Sequence, residues 1–500
     1  MKRGLVLFLA LIMLIGCLAA CGPKSETPSG PSGKTEDREA DQYLPKTDYS
    51  GKTYTVLYRG SSQQFIQEWY SDSTKGADVI NDAIASRNQA VIDRYGVTLD
   101  YSSGAVLGGD FTNDFLSKIT NNTTDDNFQL VAGKTYDLAT ASVRGYFLNW
   151  LNPEQVPTVD LTADWWDGDF TQEARYNGCS YVATGALSLS DMYHSACFYF
   201  NKTLLEQFKG PTATEDLFDL VESGGWTLDK LVEYSKDCFY KPENAEDDSE
   251  TIFTLSINRN TTVDAFIYSS NIRMTQRTND GIKLTTVDKN SKILDLATKL
   301  DSFFNESGKA NLISIDSFES DFVEGRAVFC AGILSTAMNI QTAAKDLLYG
   351  VIPYPKYDEA QTEYYTYKTD NKSVLCIPRS VKENNREFVG TITEAMAYYS
   401  NKYVRPALYE KVLKHKIVQE QQSSRSIDKI LDGGLYEFAN IYAGAWGDQQ
   451  SPAHLLRQCL KSNNDYYTEY KGKKTFYESM LRKLLNNFST DDAVTTPAAE

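Results

Sequence analysis

The apolar positions of this chain change period along its length, and each change marks an element. A run from Leu5 to Ile15, preceded by Lys2 and Arg3, is too short to cross a bilayer as a folded helix and has the form of a secretory signal. From Gly22 to about Pro45 the stretch "GPKSETPSGPSGKTEDREADQYLP" is rich in Ser, Gly, Pro and charge, the composition of a flexible tether. "KTYTVLYRG" then predicts a strand ending at Gly60. Ile80, Ile84, Val91 and Tyr95 recur at helical spacing, with Gly96 just past the C-cap. "VTLDY" predicts a second strand, Phe111, Phe115 and Ile119 a second helix, and "YDLAT" a third strand. Strands alternating with helices imply a parallel, right-handed α/β sheet.

The alternation resumes with "ACFYFN" as a strand and "KTLLEQF" as a helix start, so a second α/β unit is expected. Thr227 is placed to cap "LDKLVEYSKD", with Asp229 in the first turn and Trp226 as a hydrophobic staple. "SFESDFVEGRAVFCAG" reads as helix, stop at Gly325, strand, and a glycine loop at Gly332. "YGVIPYPK" is a strand ending in prolines, and from about Glu383 the chain is mostly helical, "REFVGTITEAMAYYSNKY" being its clearest amphipathic segment. A body of roughly 450 residues is too large for one core, so two domains are expected.

A formal net charge of -17, with acidic residues scattered, argues against nucleic acid as a partner. Cys179, Cys197, Cys238, Cys330, Cys376 and Cys459 form no C-x-x-C pair, and buried thiols are the simpler reading, with a disulfide left open. Three widely separated histidines offer no zinc-ligand spacing. Gly133-Lys134-Thr135 fails as a phosphate loop because Phe128 stands where the first glycine belongs. H-E-x-x-H, G-x-S-x-G and G-x-G-x-x-G are absent, so no catalytic residue, metal or cofactor is expected.

Two resemblances add to this. Leu18-Ala19-Ala20-Cys21-Gly22 resembles the bacterial lipoprotein cleavage box, which implies Cys21 as the lipid-bearing first residue of the mature chain; Cys17 is a weaker second site. "YDLATASVRGYFLNWLN", "SACFYFNKTLLEQF", "ESGGWTLDKLVEYSKD", "FVEGRAVFCAG" and "YGVIPYPKYDEAQTEYY" resemble, in order, five elements of the family 1 extracellular solute-binding proteins of bacterial carbohydrate ABC importers. The resemblance implies an α/β, two-lobed periplasmic-binding-protein-like fold of type II, with the ligand cleft between lobes joined by crossing hinge segments. It implies a signal peptide over 1–21, a tether over 22–46, an N-terminal lobe of 47–192 plus about 372–425, and a C-terminal lobe of 193–371 plus about 426–490. It further implies a monomer, lipid-anchored on the extracytoplasmic face, that delivers a small polar solute to ABC permease subunits.

Ligands of open α/β sheets sit beyond the carboxyl ends of strands. Those ends offer Arg59, Ser142, Arg144 and Asn260. His194 stands at the entry to the second unit, as a cleft hydrogen-bonding residue or a hinge histidine rather than a catalytic base. Asp191 and Arg144 suit adjacent hydroxyls, and Trp446, flanked by glycines, suits a sugar face or a core. With 32 Tyr and 6 Trp available for stacking, a mono- or oligosaccharide is the expected ligand. A surface-anchored glycan-active enzyme and a sugar-sensing subunit are the alternatives.

Overall fold

The computed structural model describes residues 39–61, 63–72, 78–103, 111–121, 126–258, 262–306, 310–313, 319–418, 420–447 and 450–488. The signal segment, Cys17, Cys21 and Asn260 lie outside them. The chain forms two compact units. Of Met1–Tyr43 the described part is a short turn at Ala40–Gln42, and Leu44–Glu500 holds everything that follows.

The second unit contains two mixed sheets. The first comprises β1 (Thr53–Tyr58), β2 (Thr98–Ser103), β3 (Leu130–Lys134) and β9 (Ser373–Cys376) in the order β9-β3-β1-β2. The second comprises β4 (Ala196–Asn201), β5 (Phe253–Asn258), β6 (Ala310–Ile313), β7 (Ala327–Ile333) and β8 (Tyr349–Ile352) in the order β8-β4-β7-β5-β6. The expected all-parallel sheet is corrected: β9 runs antiparallel to β3, and β4 runs antiparallel to both β7 and β8. Each reversed strand is where the chain enters a sheet from the other sheet's side, so it arrives without the crossover helix that makes neighbours parallel.

Local signals hold where they are strong. Helix α1 (Val79–Tyr95) is capped by the Asp78 side chain, which accepts from the Ile80 and Asn81 amides, and it stops at Gly96 with φ 66°. Helix α2 spans Phe111–Asn121. The Thr227 hydroxyl accepts from the Lys230 amide, and the fully buried Trp226 donates its indole N–H to the Pro353 carbonyl at 3.0 Å.

Three readings are corrected. "YDLAT" lies in helix α3 (Thr135–Ala141), and the strand is the run just before it, buried from Leu130 to Gly133, which passes into the helix without a loop. Gly332 is inside β7, not in a loop; a Cβ there would sit 2.9 Å from the Thr336 hydroxyl, so glycine admits the returning turn. Helix α4 (Glu383–Tyr399) is not amphipathic over its second half, since every residue from Phe388 to Tyr399 is buried. It is enclosed by α1 and the 157–166 segment, whose Trp165 and Trp166 donate their indole N–H groups to the two Glu394 carboxylate oxygens at 2.8 Å each. The six cysteines after residue 178 are all buried, and no disulfide joins them.

Candidate functional site

The sheet topology gathers polar residues at one edge of each sheet. In the first, β1 hands on to Arg59, and β3 ends at Lys134 and turns directly into Thr135, Tyr136 and Asp137. Because β9 is antiparallel, its start lies at that same edge, Ser373 opposite Lys134, and brings Thr369, Asp370 and Asn371 with it. In the second, β5 leads to Asp264 at the start of the short helix Ala265–Ser269. The antiparallel β4 starts there too, Ala196 opposite Ile333, which places His194 beside the cluster.

Arg59 donates from Nη1 to Asn371 Oδ1 at 2.8 Å and lies 4.4 Å from the Phe65 ring centroid. Burial pulls its guanidinium below the ordinary arginine range, opposed by Asp137 and Asp370. Burial likewise pushes the Asp137 carboxyl up, against the pull of Lys134 and Arg59. His194 Nδ1 is 3.2 Å from the Thr369 hydroxyl, and Ser195 bridges Lys368 in antiparallel fashion, so the two segments that pass between sheets are zipped together. Burial, reinforced by Arg59, holds the His194 imidazole neutral, down to about 3.

Across from these groups lies a set of buried polar atoms left open. Asp264 Oδ2 forms an ion pair with Arg457 Nη1 at 3.2 Å, yet Asp264 Oδ1 and Arg457 Nε have no hydrogen-bond partner among the described residues. Neither do the Tyr268 hydroxyl, Trp446 Nε1 and His454 Nδ1. Asp264 is 2% exposed and Tyr268, Trp446 and His454 each 1%. Tyr268 is held in place by Tyr367, stacked at 4.7 Å and 10°, whose own hydroxyl donates to Asn440 Oδ1 at 3.2 Å. Burial, helped by Arg457 and Lys134, drives the His454 imidazole down to about 2, and burial lifts the Asp264 carboxyl to about 7 against the attraction of Arg457. Lys134 acting on His454, and Asp370 on Asp264, places both edges in one electrostatic neighbourhood. Native interiors satisfy the great majority of buried polar atoms, so the open ones gathered near the strand ends are candidate ligand contacts.

A separate cavity of about 680 Å³ opens beside Trp165, Trp166, Asp191, Lys368, Arg405 and Tyr436. Three of its polar groups, Asp191, Lys368 and Tyr436, are tied to one another or to Lys372. Asp191 accepts from Lys372 Nζ at 2.7 Å, Lys368 Nζ at 3.1 Å and the Tyr436 hydroxyl at 2.9 Å. Burial alone would raise the Asp191 carboxyl, but Lys368 and Lys372 together hold it well below the usual carboxylate range. None of the buried polar atoms left without a partner among the described residues belongs to a residue that lines this opening.

No family model matches the sequence, and no curated protein matches it. Solved structures do. A cyclo/maltodextrin-binding protein in complex with maltotetraose superposes with a TM-score of 0.55 at 13% identity, over 87% of this chain and 99% of that one. A galacto-N-biose/lacto-N-biose I-binding protein of a Bifidobacterium longum ABC transporter gives 0.56 at 12% identity, over 87% and 99%. A Streptomyces glaucescens receptor, solved unliganded and with acarbose, gives 0.53 at 13% identity, over 88% and 100%. This is the two-lobed solute-binding-protein fold. The solute-binding-protein fold accounts for the two mixed sheets and for the segments that cross between them.

Within this solute-binding-protein fold the sequence-predicted residues part company. Arg59 and His194 stand at the strand-end cluster, and Trp446 is buried with its indole N–H open. Asp191 lies at the other cavity, tied to lysines. Ser142 is fully buried and donates its hydroxyl back to the Ala139 carbonyl at 2.8 Å, while Arg144 is exposed; neither lines that cavity. Sequence reasoning missed Lys134, Asp137, Asp264, Tyr268, Asp370, His454 and Arg457. Asp264 follows the end of β5 closely and was within reach of the strand-end argument. His454 and Arg457 sit at i and i+3 in a helical stretch with no strand beside it, which left no signal.

Proposed function

We propose that this protein captures a small polyhydroxylated solute, a mono- or oligosaccharide, by closing its lobes on the strand-end cluster, and passes it to ABC permease subunits. The observation that carries this is the half-open Asp264–Arg457 pair. One carboxylate oxygen faces a guanidinium nitrogen, and the remaining oxygen and Nε stay open. A vicinal diol answers that arrangement, one hydroxyl donating to Asp264 and its neighbour accepting from Arg457. Tyr268, Trp446 and His454 supply further single contacts from rigid, buried positions. The solved neighbours include binding proteins for maltotetraose, acarbose and lacto-N-biose, which supports a saccharide as the ligand class. The lobes are proposed as 47–192 with about 372–425 and 193–371 with about 426–490, the former holding β1, β2, β3 and β9.

A ligand bound only by the folded form stabilises it by about 2.7 kcal/mol at 100 times Kd. In a saccharide screen at least one sugar should raise the melting temperature, with no hydrolysis product. Tyr268→Phe removes a hydroxyl that has no partner among the described residues, so the ligand-free midpoint should move by about a degree or less while the sugar-induced shift drops; Trp446→Phe should do the same through its N–H. A variant that keeps the whole shift removes its residue from the site, and release of a smaller sugar on incubation refutes binding without turnover.

Among the described residues no helix is long and apolar enough to cross a membrane. The resemblance of Leu18-Ala19-Ala20-Cys21-Gly22 to a lipoprotein cleavage box supports membrane attachment through lipid on Cys21 as part of the proposal. Cys21→Ala should release the protein from membranes or block its processing. Unchanged membrane association in a fractionation experiment removes the lipid anchor from the proposal.

A further inference from the structure

The chain passes from β8 in the second sheet to β9 in the first by way of residues 366–371, and three side chains of that run each hold one residue of the strand-end cluster. Tyr367 is stacked on Tyr268 at 4.7 Å and 10°. Thr369 sets its hydroxyl 3.2 Å from His194 Nδ1, and its amide donates to the His194 carbonyl at 3.2 Å. Past a turn at Asp370 and Asn371, Asn371 Oδ1 accepts from Arg59 Nη1 at 2.8 Å. Tyr268, His194 and Arg59 come from three separate parts of the fold, yet each is met at an alternate position of one run. Successive side chains of an extended chain point to opposite faces, which puts Tyr367 and Thr369 on one side and Lys368 on the other. Lys368 behaves accordingly, its Nζ lying 3.1 Å from Asp191 Oδ2 and 2.9 Å from Ser195 Oγ. The run is fixed from several directions. Thr366 N–H donates to the Gly433 carbonyl at 2.7 Å, Tyr136 N–H to the Asp370 carbonyl at 3.1 Å, and the Tyr367 hydroxyl to Asn440 Oδ1 at 3.2 Å.

From this arrangement we infer that Tyr367, Thr369 and Asn371 form a positioning ridge that sets the relative placement of Tyr268, His194 and Arg59, and so decides which pattern of hydroxyls the site accepts. The inference rests on the saccharide reading and adds to it the residues that shape selectivity from behind. Tyr367 and Thr369 are buried, so they act through the side chains they hold. Sugars of one size differ in the direction of single hydroxyls, and a site rejects the wrong one only when its own polar groups are held where they would be left unpaired. One extended run supplies that rigidity, because alternate side chains along it stand about 7 Å apart whatever the neighbouring elements do. Phe65 ties two of the three together, since its ring centroid lies 4.4 Å from the Arg59 guanidinium and 5.8 Å from the His194 ring.

The test titrates the full mature chain by calorimetry with hexoses and disaccharides and with their epimers and deoxy forms. Tyr367→Leu should weaken the best sugar about 10-fold in the wild-type chain but less than about 3-fold in a Tyr268→Phe chain, because the hydroxyl it would misplace is already gone. Thr369→Val should show the same dependence on His194, tested with His194→Phe, and Thr369→Ser, which keeps the hydroxyl, should restore binding. In both ridge variants the ranking of epimers should change, whereas a loss of structure alone weakens every sugar in proportion. Losses that multiply in full, or a ranking that stays fixed, overturn the inference and leave the saccharide reading intact. Should Tyr367→Leu not fold, the Thr369 and His194 variants decide. If no sugar binds the wild type, the saccharide reading falls and the claim on selectivity with it, and the imidazole nitrogen resonances judge the ridge by itself. Thr369→Val should then shift the His194 Nδ1 signal and leave that of His454 in place; a His194 signal that does not move overturns the ridge as well.

Discussion

Above pH 7, where the Asp264 carboxyl is ionised, Arg457→Met should destabilise the ligand-free protein by about 3–5 kcal/mol, because it leaves that carboxylate buried without its cation. The pair is shut away from water, with Asp264 3% and Arg457 9% exposed at the side chain, so solvent does not screen the loss. The double replacement Asp264→Asn with Arg457→Met removes both charges together and should recover most of that stability, since the penalty comes from the orphaned partner rather than from the missing attraction. Urea unfolding of the three proteins checks this. Both variants should nonetheless bind the best wild-type sugar poorly, because the open Arg457 donor is gone from each. Equal stability losses in single and double variants would mean that the site's packing, not its charge, is at stake.

Asp191→Ala is expected to be about as damaging, for the opposite reason. It strands two buried ammonium groups, Lys368 and Lys372, whose side chains are 5% and 2% exposed. A loss of about 3–5 kcal/mol is anticipated. The same carboxylate joins residues 191, 368, 372 and 436, and Tyr436 also donates to Asp167 at 2.6 Å, so the damage falls on the segments that pass between the sheets. The pH dependence gives a second check. The native Asp191 carboxyl lies below its unfolded value, so its contribution is whole above about pH 4 and fades as pH falls below that. The stability gap between wild type and Asp191→Ala should therefore stay level from pH 8 to about 5 and narrow in more acidic solution. A gap that widens on acidification would contradict the ion-pair assignment.

Much of the scaffold was legible because its signals are local. The Thr227 cap, the Gly96 stop, and the strands at 53–58 and 196–201 depend on residues within a few positions of one another. The failures have one origin. "YDLAT" has an apolar alternation compatible with a strand, and only the already completed strand before it forces those residues into a helix. The charged Glu394 and the hydroxyls of α4 look like a solvated face until Trp165 and Trp166 are laid against it.

Taken alone, the order of strands and helices, the scarcity of metal and cofactor motifs and the signal-like amino terminus came from the chain's own residue pattern, since each rests on short-range sterics, capping and burial. Strand direction did not, because β4 and β9 are reversed by where the chain re-enters each sheet. The site did not either. Asp264 and Arg457 lie far apart in sequence and carry no mark of each other, and an open carboxylate oxygen is a property of what surrounds it. Only packing decides which polar atoms are buried, which of those find a partner, and which are left for a ligand.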